Sequence, residues 1–437
     1  MKTNRRDALK AAILGTGMVG LKSIATGLPT WAFTHGLTDT RVWAAEPASP
    51  KFLLLITSNL GDPFNANVPG MYGGDGVVNN PQATMTETAM RLGAVDTSAA
   101  RPWASLPQWV LDRTAFVHHR TYQNAHPQYQ KVMGLVGSAK NDEGNGTEHI
   151  ASLISSEMTP LLGTIQEEPV ALGRNSLSFR GAQLQSIQPS TLAEIFAAPE
   201  GRGLELAEIR AGAIDELYAL AKKDGSRSQV AWIDRYVTSR RQVEQLDSTL
   251  VERFSAIENN DPINQLRAAL TLFMMRLTSV ATVHIPFGGD SHFDADLIKE
   301  ADETVAALQT LKTFYDELEN SPLRDQLVVA NLNVFGRTLK KKNTEGRDHN
   351  LNHHAMMITG AGVGAGVYGG LEPSGNDIGA TDIDSATGAG VAGGDIPKNE
   401  SLEATSKTLA TIIGVPDEAI ERRIIGGKII APLIASP

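Results

Sequence analysis

Cysteine is absent from the 437 residues. That excludes disulfides, thiolate-held zinc or iron–sulfur centres and a cysteine nucleophile. Aromatic residues are scarce at 5%, yet hydrophobic residues reach 41% and charged residues only 20%, so the chain reads as folded rather than disordered. Positive charge is in deficit, with 39 Lys and Arg against 49 Asp and Glu and a net charge of −10. An acidic protein is a poor partner for nucleic acid or anionic lipid. Beyond the N-terminus no segment approaches 18 uninterrupted apolar residues, so no permanent membrane span is expected. G-x-S-x-G, Walker A and H-E-x-x-H motifs are missing as well. Two G-x-G-x-x-G spellings, from Gly364 and from Gly388, open no expected helix and read as turn formers.

The N-terminus is set aside first. Thr3-Asn4-Arg5-Arg6-Asp7-Ala8-Leu9-Lys10 follows the twin-arginine export pattern, with Ala8 where Phe is usual. A mildly apolar run from Ala11 to about Leu28 comes next, broken by Lys22, and small residues at Val42-Trp43-Ala44 offer a cleavage site before Ala45. Residues 1–44 are therefore expected to be a signal peptide and the protein periplasmic. The segment holds six basic and two acidic side chains, so its removal takes the net charge from −10 to −14.

The rest, 45–437, reads as one α/β domain. Apolar runs at 51–57, 115–119, 169–172, 279–285, 326–332 and 355–359 suit buried strands, and 148–157, 298–319 and 401–413 suit helices. Residues 191–278 are almost wholly helical in pattern, a helical insertion in the domain. Within it a stripe from Val230 to Ile257 marks a long amphipathic helix, and Pro262 suits the first turn of the next. Strands alternating with helices predict a three-layer α/β/α fold with a mainly parallel sheet. Residues 360–395, rich in Gly with scattered Asp, read as loops or weak hairpins.

His and Asp gather in the loops that follow strands, where such sheets place their sites. Asp62 follows the first strand, and His118, His119 and His126 the second. Asp290 and His292 follow the strand ending at Ile285, and Asp348, His349, His353 and His354 precede the strand at Ala355. Carboxylates and imidazoles from separate loops are the ligands a divalent Zn or Mn site needs. They are equally common as caps and turn formers in exposed loops. Arg337 is the best cation for an oxyanion. Thr57 and Ser58 end the first strand, where hydroxyls usually cap turns.

Five segments fall in one order: Leu60-Gly61-Asp62-Pro63-Phe64-Asn65, Asn124-Ala125-His126-Pro127, Gly288-Gly289-Asp290-Ser291-His292, Asn333-Val334-Phe335-Gly336-Arg337-Thr338 and Arg347-Asp348-His349-Asn350. In that order and spacing the chain resembles a group of twin-arginine-exported bacterial proteins of unknown function with an alkaline phosphatase/sulfatase-like fold. The resemblance implies a Zn or Mn site from Asp62, Asp290, His292, Asp348 and His349, with His126 as a further ligand. It also implies a small anionic ester substrate, phosphate or sulfate, and a Ser or Thr nucleophile, for which Thr57 and Ser58 at the end of the first strand are the candidates. The chain departs from the group at Val334, where a Glu is usual, at Gly289 for a Trp, and in the altered Gly61-Asp62-Pro63 loop. An isopropyl group has no lone pair, so three outcomes stay open: one-metal catalysis, a changed metal, or a decayed site. The contrasting expectation is a non-catalytic binding or assembly protein that keeps the fold and meets a protein partner through 191–278.

Overall fold

The computed structural model describes residues 51–57, 61–121, 124–126, 149–162, 168–173, 177–180, 182–196, 202–227, 229–230, 233–234, 237, 248–340 and 345–435. The expected signal segment and Ser58 lie outside them.

Seven strands form the central sheet: β1 (Lys51–Ile56), β2 (Thr114–His119), β3 (Val170–Ala171), β4 (Val280–His284), β5 (Leu327–Leu332), β6 (His354–Gly360) and β7 (Gly366–Tyr368). Their order is β7-β2-β6-β5-β1-β4-β3. Six run the same way, and β6 alone is antiparallel to its neighbours β2 and β5. That reversal matters for the site. The carboxyl ends of β1, β2, β4 and β5 and the amino end of β6 all meet at one edge.

The sheet is buried on both faces, which is why its strands are continuous apolar runs. In β1, Leu53 and Leu55 join one core with the helices Pro262–Met274 and Ile298–Glu319. Phe52, Leu54 and Ile56 join the other, with the helices Ile150–Leu162 and Ser401–Ile413. The result is the expected three-layer α/β/α arrangement. Pro262 stands in the first turn of its helix, where its missing N–H costs nothing.

Among the described residues the helical stretch 191–278 includes Pro189–Phe196, Arg202–Asp224, Ser248–Ser255 and Pro262–Met274. The last of these is part of the layer over the sheet. Of the stripe expected from Val230 to Ile257, Val243 and Leu246 lie outside the described residues; Ile233, Phe254 and Ile257 are buried, and the helix Ser248–Ser255 ends before Ile257. Within 360–395 the hairpin Leu371–Ser374/Asp377–Ala380 answers to the weak hairpins expected there, whereas Gly366–Tyr368 joins the central sheet as β7, parallel to β2. The hairpin Glu87–Leu92/Val95–Ala100 and the helix Asp417–Arg423 have no counterpart in the sequence reading.

Candidate metal centre

The Asp-Pro pair at 62–63 starts a 3₁₀ turn over Pro63–Ala66. Asp62 is its N-cap, accepting from Phe64 N at 2.9 Å, and Pro63 supplies a preset φ. The turn carries Asn65 to the loop after β5. There the Asn65 amide clamps both backbone groups of Arg337: Oδ1 accepts from Arg337 N at 2.8 Å and Nδ2 donates to Arg337 O at 2.9 Å. A two-residue ribbon then pairs Arg337 with His349 in register, so guanidinium and imidazole leave the same edge together.

His349 meets His126 and His292 at this edge. One ligand nitrogen of each ring lies within 4.8 Å of the others. Ring centroids are 4.6 Å apart for His349 with His126 and for His349 with His292, and 6.5 Å for His126 with His292. The Phe335 ring packs 4.2 Å from His349 and 5.4 Å from His126, an apolar wall behind both. Tautomers follow from the hydrogen bonds. His349 Nδ1 donates to Asn124 O at 2.8 Å, so its Nε2 carries the lone pair, and that buried atom has no hydrogen-bond partner. His126 Nδ1 is likewise buried without one. Burial, helped by nearby Arg337, His292 and His126, lowers the His349 pKa and keeps the ring neutral, the form that ligates.

Two carboxylates flank the rings. Asp290 lies 3.9 Å from both His126 Nε2 and His292 Nε2, and Asp348 lies 3.6 Å from His292 Nδ1. Burial raises the pKa of Asp290, but Arg337, the backbone N–H of His292 and the imidazoles of His292 and His126 outweigh it and hold the group below the usual carboxylate range. Arg337 is fully buried behind Asp290, donating to its carboxylate at 3.1 Å and to Gly61 O at 3.2 Å.

This donor set fits a divalent metal. Three atoms within 4.8 Å of one another always leave a point no more than about 2.8 Å from every one of them. Closing to the 2.0–2.1 Å of a zinc–imidazole bond asks each ring to move less than about 1 Å. Three imidazoles with carboxylates at the rim match Zn²⁺ and do not exclude Mn²⁺.

The remaining sequence candidates stand elsewhere. Asp62 is fully buried and does not join the histidine trio. Its second oxygen meets Asn333 Nδ2, which also donates to Thr57 Oγ1 at 3.1 Å. Burial outweighs the lowering by the Thr57 hydroxyl, the Phe64 amide and Arg337, and lifts the Asp62 pKa to about 7. Thr57 is buried too. Val334, in the place of the usual Glu, is a fully buried core residue whose N–H donates to Asn333 Oδ1.

His118 and His119 belong to β2 itself and His354 opens β6, so these rings point into the protein. His118 Nε2 donates to Pro69 O at 3.0 Å, leaving Nδ1 to accept from His353 Nε2 at 2.8 Å. His353 Nδ1 in turn accepts from Asn65 Nδ2 at 3.0 Å. These rings and Asn65 thus brace the Arg337 loop. The sequence singled out neither Asn65 nor Asn333, and their partners lie 272 and 271 residues away.

Residues 214–385 match a family described as "Protein of unknown function (DUF1501)"; the span includes Asp290, His292, Arg337, Asp348 and His349. No curated protein sequence matches the chain. Among solved structures, a sulfatase from Pseudoalteromonas sp. aligns at 12% identity with a TM-score of 0.35, over 89% of this chain and 72% of its own. An alkaline phosphatase from the Antarctic bacterium TAB5 aligns at 11% with a TM-score of 0.28, over 72% and 92%. Ps i-CgsB, crystallised with k-i-k-neocarrahexaose, aligns at 9% with a TM-score of 0.34, over 88% and 76%.

Proposed function

We propose that this protein is a metal-dependent hydrolase of phosphate or sulfate esters, with His126, His292 and His349 as imidazole ligands and Asp290 and Asp348 as carboxylates. The observation that carries the reading is the meeting of three imidazoles at the sheet edge, with the lone pair of His349 Nε2 unclaimed and His126 Nδ1 buried without a hydrogen-bond partner. A divalent ion held there supplies Lewis-acid polarisation of a phosphoryl or sulfuryl oxygen and a water of lowered pKa. Asn124 fixes the His349 tautomer. Arg337, buried against Asp290, orients that carboxylate and keeps it ionised rather than gripping the substrate itself. Thr57 and Asp62, buried with Asn333, support the loop from behind. The attacking group is then water, or the Ser58 hydroxyl outside the described residues.

The twin-arginine pattern supports export of this enzyme to the periplasm. Among the described residues no helix is long and apolar enough to cross a membrane. We read 45–437 as a single catalytic domain.

Asp290→Ala and His292→Ala test the reading against a panel of aryl phosphates and sulfates. The expected result is turnover by the parent, loss of at least about 100-fold in each variant, and unchanged far-UV circular dichroism. Equal turnover by parent and variants contradicts the assignment. A second reading, a binding or assembly protein that keeps the fold, is favoured by Val334 in the core and by Ile209 and Leu220, 69% and 60% exposed on the helix Arg202–Asp224. It predicts a co-purifying protein partner that is lost in Ile209→Glu/Leu220→Glu.

A further inference from the structure

Beside the histidine trio opens a cavity of about 300 Å³ lined by His292, Phe293, Glu345, Gly346, Arg347 and Asp348. His292 and Asp348 make it continuous with the proposed centre. Its other walls have a distinct chemistry. Phe293 is 90% exposed, the most exposed large apolar side chain among the described residues. That leaves its face free to meet a ligand in the cavity. The ring sits 6.4 Å from the His292 imidazole, centroid to centroid, inclined at 54°.

The charges point the same way. Among the described residues that line the cavity Arg347 is the one cation, and it is fully buried and taken up from within. It pairs with Glu300 at 2.8 and 3.3 Å and donates to the carbonyls of Thr338 and Val78. The rest of the lining is Phe293 and Glu345, an aromatic and an acidic residue, with Asp348 toward the centre. An aromatic face beside a carboxylate recognises a cation, above all a quaternary or primary ammonium. A second phosphate or carboxylate on the substrate would meet like charge there.

We infer that this cavity is the leaving-group subsite of the centre and takes the ammonium end of an amino-alcohol ester of the phosphocholine class. The inference rests on the reading of the centre given above. The ester group lies at His292 and Asp348, and the ammonium lies over Phe293 and toward Glu345. A two-carbon alcohol spans two such neighbouring points, and the cavity volume suits a small free ester.

The test is titration calorimetry on the zinc-loaded protein with four probes: inorganic phosphate, phosphocholine, its uncharged isostere 3,3-dimethylbutyl phosphate, and choline alone. The expected result is that phosphocholine binds about three- to thirty-fold tighter than the isostere. Phe293→Ala and Glu345→Gln each erase that preference and leave inorganic phosphate unaffected. Because Phe293 is almost wholly exposed, its replacement does not threaten folding. If phosphate binds but phosphocholine and its isostere bind alike, the subsite is refuted and the centre stands. If phosphate fails to bind while choline still binds and loses affinity in Phe293→Ala, the cation pocket stands and the ester centre falls. Failure of both overturns both. Phosphatidylcholine vesicles separate a free ester from a lipid headgroup: the protein is expected to stay in solution, and its sedimentation with them overturns the free-ester assignment.

Discussion

Moving the protein from pH 7 to pH 5 lowers its stability, and the buried histidines set the size of the loss. Burial holds His118, His119 and His149 at a pKa of about 4. In the unfolded chain such a ring titrates near 6.5. Between these values the unfolded state takes up a proton that the folded state refuses. Their stabilisation is therefore complete above about pH 6.5 and is lost as pH falls toward 4, at about 2 kcal/mol per ring between pH 7 and 5. His353 and His354, lowered well below 6.5 by burial and by neighbouring imidazoles, act in the same direction. Asp62 acts oppositely. Its folded pKa of about 7 exceeds the ordinary 3.8, so its contribution grows as pH falls, by about 2 kcal/mol over the same interval. Three rings against one carboxyl leave a net loss of about 3 kcal/mol before His353 and His354 are counted, against a typical total of about 5–15 kcal/mol. Urea denaturation followed by circular dichroism at the two pH values measures it directly. His354→Phe keeps the stacking on Phe64 and removes one titrating ring, so it narrows the gap. A urea midpoint equal or higher at pH 5 would refute the reasoning.

Other perturbations follow from the same contacts. Glu300→Ala strands the buried Arg347 guanidinium, both partners being fully buried; a loss of about 3–5 kcal/mol in urea denaturation is expected. Gly61 has φ +77°, and a Cβ there would sit 2.0 Å from the Phe335 ring that backs His349. Gly61→Ala is therefore expected to cost more than about 1 kcal/mol of stability and to weaken zinc binding in a competition titration. Arg337→Met removes the cation that keeps Asp290 ionised, so the pH midpoint of zinc binding moves up, measured by the same titration at stepped pH. Trp103→Ala empties the centre of the Phe64, Phe116 and Phe287 cluster, with an expected loss of about 3–5 kcal/mol.

The architecture was legible where a physical signal is local. A strand buried on both faces must be apolar throughout, and β1, β4 and β5 stand within a residue of the runs that announced them. The helices Ile298–Glu319 and Ser401–Ile413 kept their expected bounds. The hairpin Glu87–Ala100 was missed because its strands are half exposed and mix Glu, Arg, Asp and Ala with few β-branched residues.

At the site, the resemblance singled out His126, His292 and His349, which stand on loops and the short ribbon, whereas His118, His119 and His354 are strand residues whose rings are buried in the protein. Asp62 read as a ligand from its position after β1. Its capture by Asn333 depends on a contact 271 residues away that leaves no local trace. Arg337 looked like an anion binder; only the ribbon pairing it with His349 reveals that its guanidinium lies behind Asp290.

The central claim is a metal held by His126, His292 and His349. Elemental mass spectrometry of protein purified without chelator or nickel resin tests it most directly, with His349→Ala prepared alongside. The account predicts about one equivalent of zinc or manganese per chain, lost in the variant. Metal absent from the parent, or retained in full by His349→Ala, would contradict it.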